Sequence, residues 1–390
     1  MNELCTDIGF QSLTKYGEET CGDHVEVLEE SENSTILVLA DGLGSGVKAN
    51  ILSTLTSKII STMIANNMSI EECVSTIAST LPVCEKRGLA YSTFTIIHVV
   101  GNKEAEIIQF DNPHVILLRD GKNCDYDKSA LEIGEKLIYQ SKIDLQLNDL
   151  FIAMSDGAIY AGVGRTLNYG WQMENIITFM ENVYKDCYSA KAVSNLLLEK
   201  CNSLYESKPG DDTTVSAIKI RQRQPVNLMI GPPKDPKDVP EMFKGFFAME
   251  GKRIVCGGTT SQLAAAHLGK ELQVNIKYLD PEIPPTAEID GVDLVTEGVI
   301  TMNRVLKYAK SYLQDNEYYT EWLAKMDGAS QITRLLFEEA TDIVIYAGTA
   351  MNPAHQNPDL PINLGIKIRI IEELAVCLKE MGKRVKVSFF

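Results

Sequence analysis

Residues 34–40 read Ser-Thr-Ile-Leu-Val-Leu-Ala without a charge, then break into Asp41-Gly42-Leu43-Gly44-Ser45-Gly46. A short apolar run bounded by turn residues predicts a buried strand. From about Val47 to Asn66 the period becomes helical, with Ile51, Leu55, Ile59, Ile60 and Met63 expected on the packed face. Ser69-Ile70-Glu71-Glu72 is a capping-box pattern, so a second helix opens there and stops before Pro82. Strand signals then crowd together over Tyr91–Val100 and Glu104–Phe110, which are rich in β-branched and aromatic residues. Asp111-Asn112-Pro113 marks a turn, and Val115–Leu118 leads into the hairpin signal Asp120-Gly121. A further apolar strand, Asp149–Met154, ends at Ser155-Asp156-Gly157. Helical stretches cover roughly 172–184 and 189–206, and Gly210-Asp211-Asp212-Thr213-Thr214 precedes the strand Val215–Ile220.

At Arg221-Gln222-Arg223-Gln224-Pro225 the apolar rhythm breaks, which places a domain boundary between 1–221 and 226–390. Beyond it strands alternate with helices. The strands are expected near Val226–Ile230, Arg253–Cys256, Gln273–Tyr278, Val292–Val295, Asp342–Tyr346 and Val385–Phe389. The helices lie near 260–269, 299–313, 329–340 and 363–381. Such alternation predicts a parallel, doubly wound α/β domain.

Composition narrows the function classes. The 390 residues carry 37 Lys+Arg against 53 Asp+Glu, a net charge of −16. A nucleic-acid binder needs clustered basic side chains, and a peripheral membrane protein needs a basic face, so neither is expected. No apolar stretch is long enough to span a bilayer. Met1–Asp7 lacks a basic region followed by an apolar core, so no signal peptide is expected and a cytoplasmic protein is the default. The nine cysteines are scattered without a Cys-x-x-Cys pair, which fits reduced structural thiols rather than disulfides or zinc.

Four acidic positions sit at the edges of predicted strands: Gly22-Asp23, Asp41-Gly42, Asp156-Gly157 and Gly210-Asp211-Asp212. Singly, each reads as a turn-former. Together they differ, because carboxylates on the ends of neighbouring buried strands converge into a cluster that cannot stay ionised without cations. Hard oxygen donors select Mg²⁺ or Mn²⁺ over zinc or copper. A dinucleotide reading of Gly42-x-Gly44-x-Gly46 lacks the third glycine at the right offset and leaves Asp156 and Asp211 unexplained.

In that order, Asp41-Gly42-Leu43-Gly44-Ser45-Gly46, Ser155-Asp156-Gly157 and Gly210-Asp211-Asp212-Thr213-Thr214-Val215 resemble the PPM class of metal-dependent serine/threonine phosphatases, in its stage II sporulation protein E branch. Cys21-Gly22-Asp23, Tyr91-Ser92-Thr93-Phe94, and Asn112-Pro113 before Val115-Ile116-Leu117-Leu118-Arg119-Asp120-Gly121 support it, over about residues 7–220. The resemblance implies an αββα sandwich of two antiparallel sheets with two Mn²⁺ or Mg²⁺ ions at one end. Asp41 would bridge them, the Gly42 carbonyl would bind the second, and Asp156 and Asp211 would complete the first. Asp23 would sit at the edge holding water, with Asp212 adjacent or as the alternative to Asp211. The implied activity is hydrolysis of phosphoserine or phosphothreonine on a partner protein, such as a small anti-sigma-factor antagonist. A non-catalytic phosphoprotein-binding regulator is the alternative, disfavoured by the intact acidic set. Two departures, Asp111 and Asn148 where the family pattern has glycine, bear on turn geometry only.

In the second domain Val255-Cys256-Gly257-Gly258-Thr259-Thr260-Ser261 is a strand, a glycine turn and hydroxyls at a helix start. Backbone N–H groups there would hold a small anion, with Gly257, Gly258, Thr259 and Thr260 as its site. Simple capping of the helix by Thr259 or Thr260 is the competing reading. Glu297-Gly298 and Gly348-Thr349 end two further strands, and Asn352, His355, Gln356 and Asn357 are nearby polar candidates.

Overall fold

The computed structural model describes residues 4–31, 33–80, 92–133, 136–275, 279–314, 317–350 and 363–390. The expected helix stop before Pro82, the strand start at Tyr91, the strand end at 276–278 and the candidates Asn352, His355, Gln356 and Asn357 lie outside them. The chain divides into two compact units, Met1–Gln222 and Arg223–Phe390. Among the described residues no helix is long and apolar enough to cross a membrane.

The first unit begins with strands β1 (Leu4–Leu13), β2 (Asp23–Ser31) and β3 (Ser34–Gly42), then helices α1 (Gly46–Ala65) and α2 (Ile70–Thr80). Strands β4 (Ser92–Val100), β5 (Glu104–Phe110), β6 (Ile116–Arg119), β7 (Lys122–Asn123), β8 (Ser129–Ile133), β9 (Lys136–Asp144) and β10 (Leu150–Met154) follow. Helices α3 (Asp156–Ile159), α4 (Met173–Val183) and α5 (Ala190–Leu204) lead into strand β11 (Thr213–Gln222). One sheet has the order β1-β11-β10-β6-β7 and the other β2-β3-β4-β5-β9-β8. Every pairing in both is antiparallel.

The unbroken apolar runs are explained by layers. Leu37 and Leu39 of β3 meet Phe151 and Ala153 of β10 and Ile218 of β11 between the sheets. The alternate residues Ile36 and Val38 pack under α1 and α2. Likewise Leu150, Ile152 and Met154 face α4 and α5. Both faces of the central strands β3 and β10 are buried, giving an αββα sandwich, as expected. Each fully buried aliphatic side chain contributes ~1.5–3 kcal/mol of transfer free energy.

The packed face of α1 is the expected one only in its second half, where Ile60 is buried and Ile59 and Met63 pack against the same core. Ile51 and Leu55 point outward at 51% and 42% exposure, while Ala49, Ser53, Thr56, Ser57, Ile60 and Ser61 are buried. Small residues are needed because the helix lies tight on the sheet: a Cβ on Gly42 would stand 2.0 Å from the Ala49 carbonyl oxygen.

In the second unit strand β12 (Pro225–Ile230), helix α6 (Val239–Ala248), strand β13 (Lys252–Cys256) and helix α7 (Gly258–Leu268) come first. Short strands β14 (Gln273–Val274) and β15 (Ala287–Ile289) precede β16 (Val292–Thr296) and helices α8 (Val299–Leu313), α9 (Tyr319–Ala324) and α10 (Gly328–Thr333). Strand β17 (Asp342–Ala347), helix α11 (Asn363–Glu380) and strand β18 (Arg384–Phe389) close it. The sheet order is β14-β15-β16-β13-β12-β17-β18. Its five parallel strands, numbered in chain order, run 3-2-1-4-5, the doubly wound arrangement expected. The strand expected at 273–278 corrects to the antiparallel edge strand β14, paired with β15. Helices α6 and α7 cover one face with Met229 and Val255, and α8 and α11 cover the other with Leu228 and Ile254.

Candidate metal centre

The acidic residues are positioned by strand ends from both sheets. Asp23 and Asp41 face each other in the β2–β3 register. The Asp41 carbonyl accepts a hydrogen bond from the Ser92 hydroxyl at 2.8 Å, tying it to β4. From the opposite sheet, β10 and β11 run side by side with Met154 against Val215. Asp156 follows β10 directly and Asp211 and Asp212 precede β11. Gly157 is required here, since a Cβ would lie 2.2 Å from the Asp212 carbonyl oxygen.

Ser155 joins the two sheets. Its hydroxyl donates to Asp23 Oδ2 at 2.8 Å and accepts from the Thr214 amide at 2.9 Å. The adjacent aspartates 211 and 212 diverge. Asp212 is buried beside Gly22, its Oδ1 accepting from the Lys15 amide at 2.9 Å. Asp211 is half-exposed, with Lys15 Nζ 3.3 Å from its Oδ1, and its charge acts on Asp41 and Asp156. Lys15, on the β1–β2 connection, is a contact that sequence reasoning missed. No motif marks it; only the pairing of β1 with β11 brings it there.

The cluster holds protons that isolated carboxyls would release. Asp41 is pushed up to about 9, first by burial and then by the charges of Asp23 and Asp156. Burial raises Asp23 to about 6, opposed by hydrogen bonds from Ser155 and Thr214. Asp156 is also raised, by burial and by Asp211. The neighbouring Cys21 thiol is pushed up to about 12 by burial and by Asp23, so it stays neutral and is no nucleophile.

These donors fit a divalent cation. Asp23 Oδ1 and Asp212 Oδ2 are buried without a hydrogen-bond partner. Among the described residues no group of three His, Cys, Asp or Glu side chains is drawn close enough to hold an ion by itself. The expected glycine positions keep their turns: Asp111 and Asn148 adopt φ of 54° and 68°. This left-handed backbone costs ~1 kcal/mol for a residue with a Cβ, least for Asn and Asp. Gly257, Gly258, Thr259 and Thr260 belong to the second unit, at the junction of β13 and α7.

Residues 31–221 match the family model described as stage II sporulation protein E. A curated relative, stage II sporulation protein E of Priestia megaterium, is 21% identical over 226 residues, covering 56% of this chain and 37% of its own. The chain thus spans under two-fifths of that relative. Among solved structures, the phosphatase domain of the cell fate determinant SpoIIE from Bacillus subtilis is 20% identical over 57% of this chain and 95% of its own, TM-score 0.45. The catalytic domain of serine threonine protein phosphatase PstP, in complex with two manganese ions, is 15% identical over 56% and 100%, TM-score 0.39.

Proposed function

We propose, from the match of residues 31–221 to the stage II sporulation protein E family model, that the protein is a metal-dependent phosphatase acting on phosphoserine or phosphothreonine of a signalling partner such as a small anti-sigma-factor antagonist. What supports this reading is that Asp23, Asp156 and Asp211, from two sheets, all act by charge on the buried Asp41 carboxyl, which with burial is pushed up to about 9. A carboxyl with so high an affinity for a proton, surrounded by further carboxyls, is a site awaiting cations. Asp41, the Gly42 carbonyl, Asp156 and Asp211 would hold two Mn²⁺ or Mg²⁺ ions, which supply neutralisation of a phosphate dianion and activation of water.

The chain's own residues set the stage for that chemistry. Ser155 orients Asp23 at the edge of the cluster, where its buried, unpartnered Oδ1 would accept from a water held by the ions. Lys15 offsets the charge of Asp211 and ties the β1–β2 connection to Asp212. Gly42 lets α1 reach the sheet, so the bridging position is backed by packed structure on one side. No side-chain nucleophile is required, consistent with the neutral Cys21.

The test is hydrolysis of a phosphoserine peptide by the full chain with Mn²⁺ or with EDTA. Activity is expected only with the metal, and Asp41→Ala should lower it ~10²-fold or more, the scale of losing a group that stabilises transition-state charge. Equal rates in EDTA, or an Asp41→Ala enzyme within a few-fold of wild type, would overturn the reading. Phosphopeptide binding without phosphate release would favour the non-catalytic regulator.

A further inference from the structure

The second unit has a helix start that its own side chains leave open. α7 opens directly behind β13 with Gly257 as its N-cap, and no side chain caps its first turn. The first N–H groups of a helix have no acceptor within it. Its neighbour α8 differs, because the Glu297 carboxylate accepts from the Ile300 amide at 3.2 Å. β13 and β16 are parallel neighbours, and the Gly257 amide donates to the Thr296 carbonyl at 2.9 Å, so the two helix starts leave the sheet side by side. α7 goes to one face and α8 to the other. Both starts therefore lie at the carboxyl ends of parallel strands, the end of an open α/β sheet where ligands bind.

A second observation is independent of the helix end. Thr260, the third residue of α7, is 1% exposed, and its hydroxyl has no hydrogen-bond partner. A Cβ built on Gly257 would lie 3.2 Å from that oxygen, so the hydroxyl is turned back toward the N-cap. Leaving such a group unpaired is costly unless something else pairs it. There is room for a ligand: a Cβ on Gly258 would meet nothing within 4 Å, and Gly258 and Thr259 are exposed.

We infer that the start of α7 binds the phosphate of a small sugar phosphate, with the amides of Gly258, Thr259 and Thr260 and the Thr260 hydroxyl as donors. Residues 256–261 hold no lysine or arginine, so the donors are neutral and the helix end supplies the positive field. Gly298 lies against Gly257, so the Glu297 carboxylate beside it would be the acceptor for hydroxyls of a sugar that carries the phosphate. A nucleoside monophosphate combines both features.

The experiment uses the full chain in EDTA, so that metal-assisted phosphate binding at the carboxylate cluster does not contribute. Adenosine monophosphate and inorganic phosphate are titrated by calorimetry, with thermal melts alongside. The nucleotide should bind saturably and raise the melting temperature, and inorganic phosphate should bind more weakly. Gly258→Val has space in the fold and should abolish binding while leaving the unliganded melt within a few degrees of wild type. Thr260→Val keeps the shape, should not lower the unliganded melting temperature, and should weaken binding about tenfold, the loss of one hydrogen bond to a charged group. No binding of either probe at millimolar concentration overturns the inference. So does undiminished binding by Gly258→Val or Thr260→Val. Equal affinity for the two probes overturns the sugar-phosphate assignment.

Discussion

Asp41→Asn in metal-free protein isolates the charge problem built into the carboxylate cluster. In the folded protein the Asp41 carboxyl is pushed up to about 9, by burial and then by Asp23, Asp156 and Asp211. In the unfolded chain it titrates near ~4. Between those values the folded state holds a proton that the unfolded state has released, so stability is full at low pH and falls as pH rises. Each pH unit costs about 1.4 kcal/mol per proton withheld, which sets an upper bound of about 3 kcal/mol between pH 6 and 8. For a unit of this size that corresponds to ~6–12 °C in melting temperature. Asparagine fills the same volume without the ionisation, so the variant should lose this slope and melt above wild type at pH 8. Thermal melts in EDTA at pH 6, 7 and 8 measure the difference between the two proteins, which cancels titrations they share. Mn²⁺ should then raise the wild-type melt at pH 8 and raise that of Asp41→Asn much less. Parallel pH slopes in the two proteins would refute the assignment of the withheld proton to Asp41.

Ser155→Ala strands Asp23 Oδ2 and the Thr214 amide. It should cost ~2–4 kcal/mol in denaturant unfolding and raise the Mn²⁺ concentration needed for half-maximal activity. Arg119 holds the fully buried Asp149 through two bonds of 2.8 and 2.7 Å. Arg119→Met should therefore destabilise the first unit by ~3–5 kcal/mol, as an unpaired buried charge does, and urea titration checks it. Gly42→Ala would press a Cβ to 2.0 Å from the Ala49 carbonyl. Circular dichroism melts should show a loss of ~3 kcal/mol or failure to fold, because backbone rather than a flexible side chain must yield.

The sequence alone determined the strands that are buried on both faces. Residues 34–40, 149–154 and 215–220 need no polar alternation, and their apolar runs are visible without a partner. The glycine-flanked aspartates at their ends were legible for the same reason, since a strand must stop where the turn residues begin. Strands β1, β2, β8 and β9 were not, because they lie at or near sheet edges and carry Asp7, Glu26, Glu29, Glu132 and Lys142 within them. Periodicity placed Ile59, Ile60 and Met63 of α1 correctly but not Ile51 and Leu55: hydrophobic spacing marks a stripe but cannot say what it faces, and close approach to β3 demanded small residues in the first half. The division of labour between Asp211 and Asp212 is likewise a tertiary outcome. Adjacent residues at a strand entry point to opposite sides, so one meets Asp41 and Asp156 while the other is buried against Gly22. Lys15 joins them only because β1 pairs with β11 over its whole length. Local sequence dictates which residues end a strand; which ends meet, and what cation arrives among them, depends on pairings between segments about 200 residues apart, which no local pattern encodes.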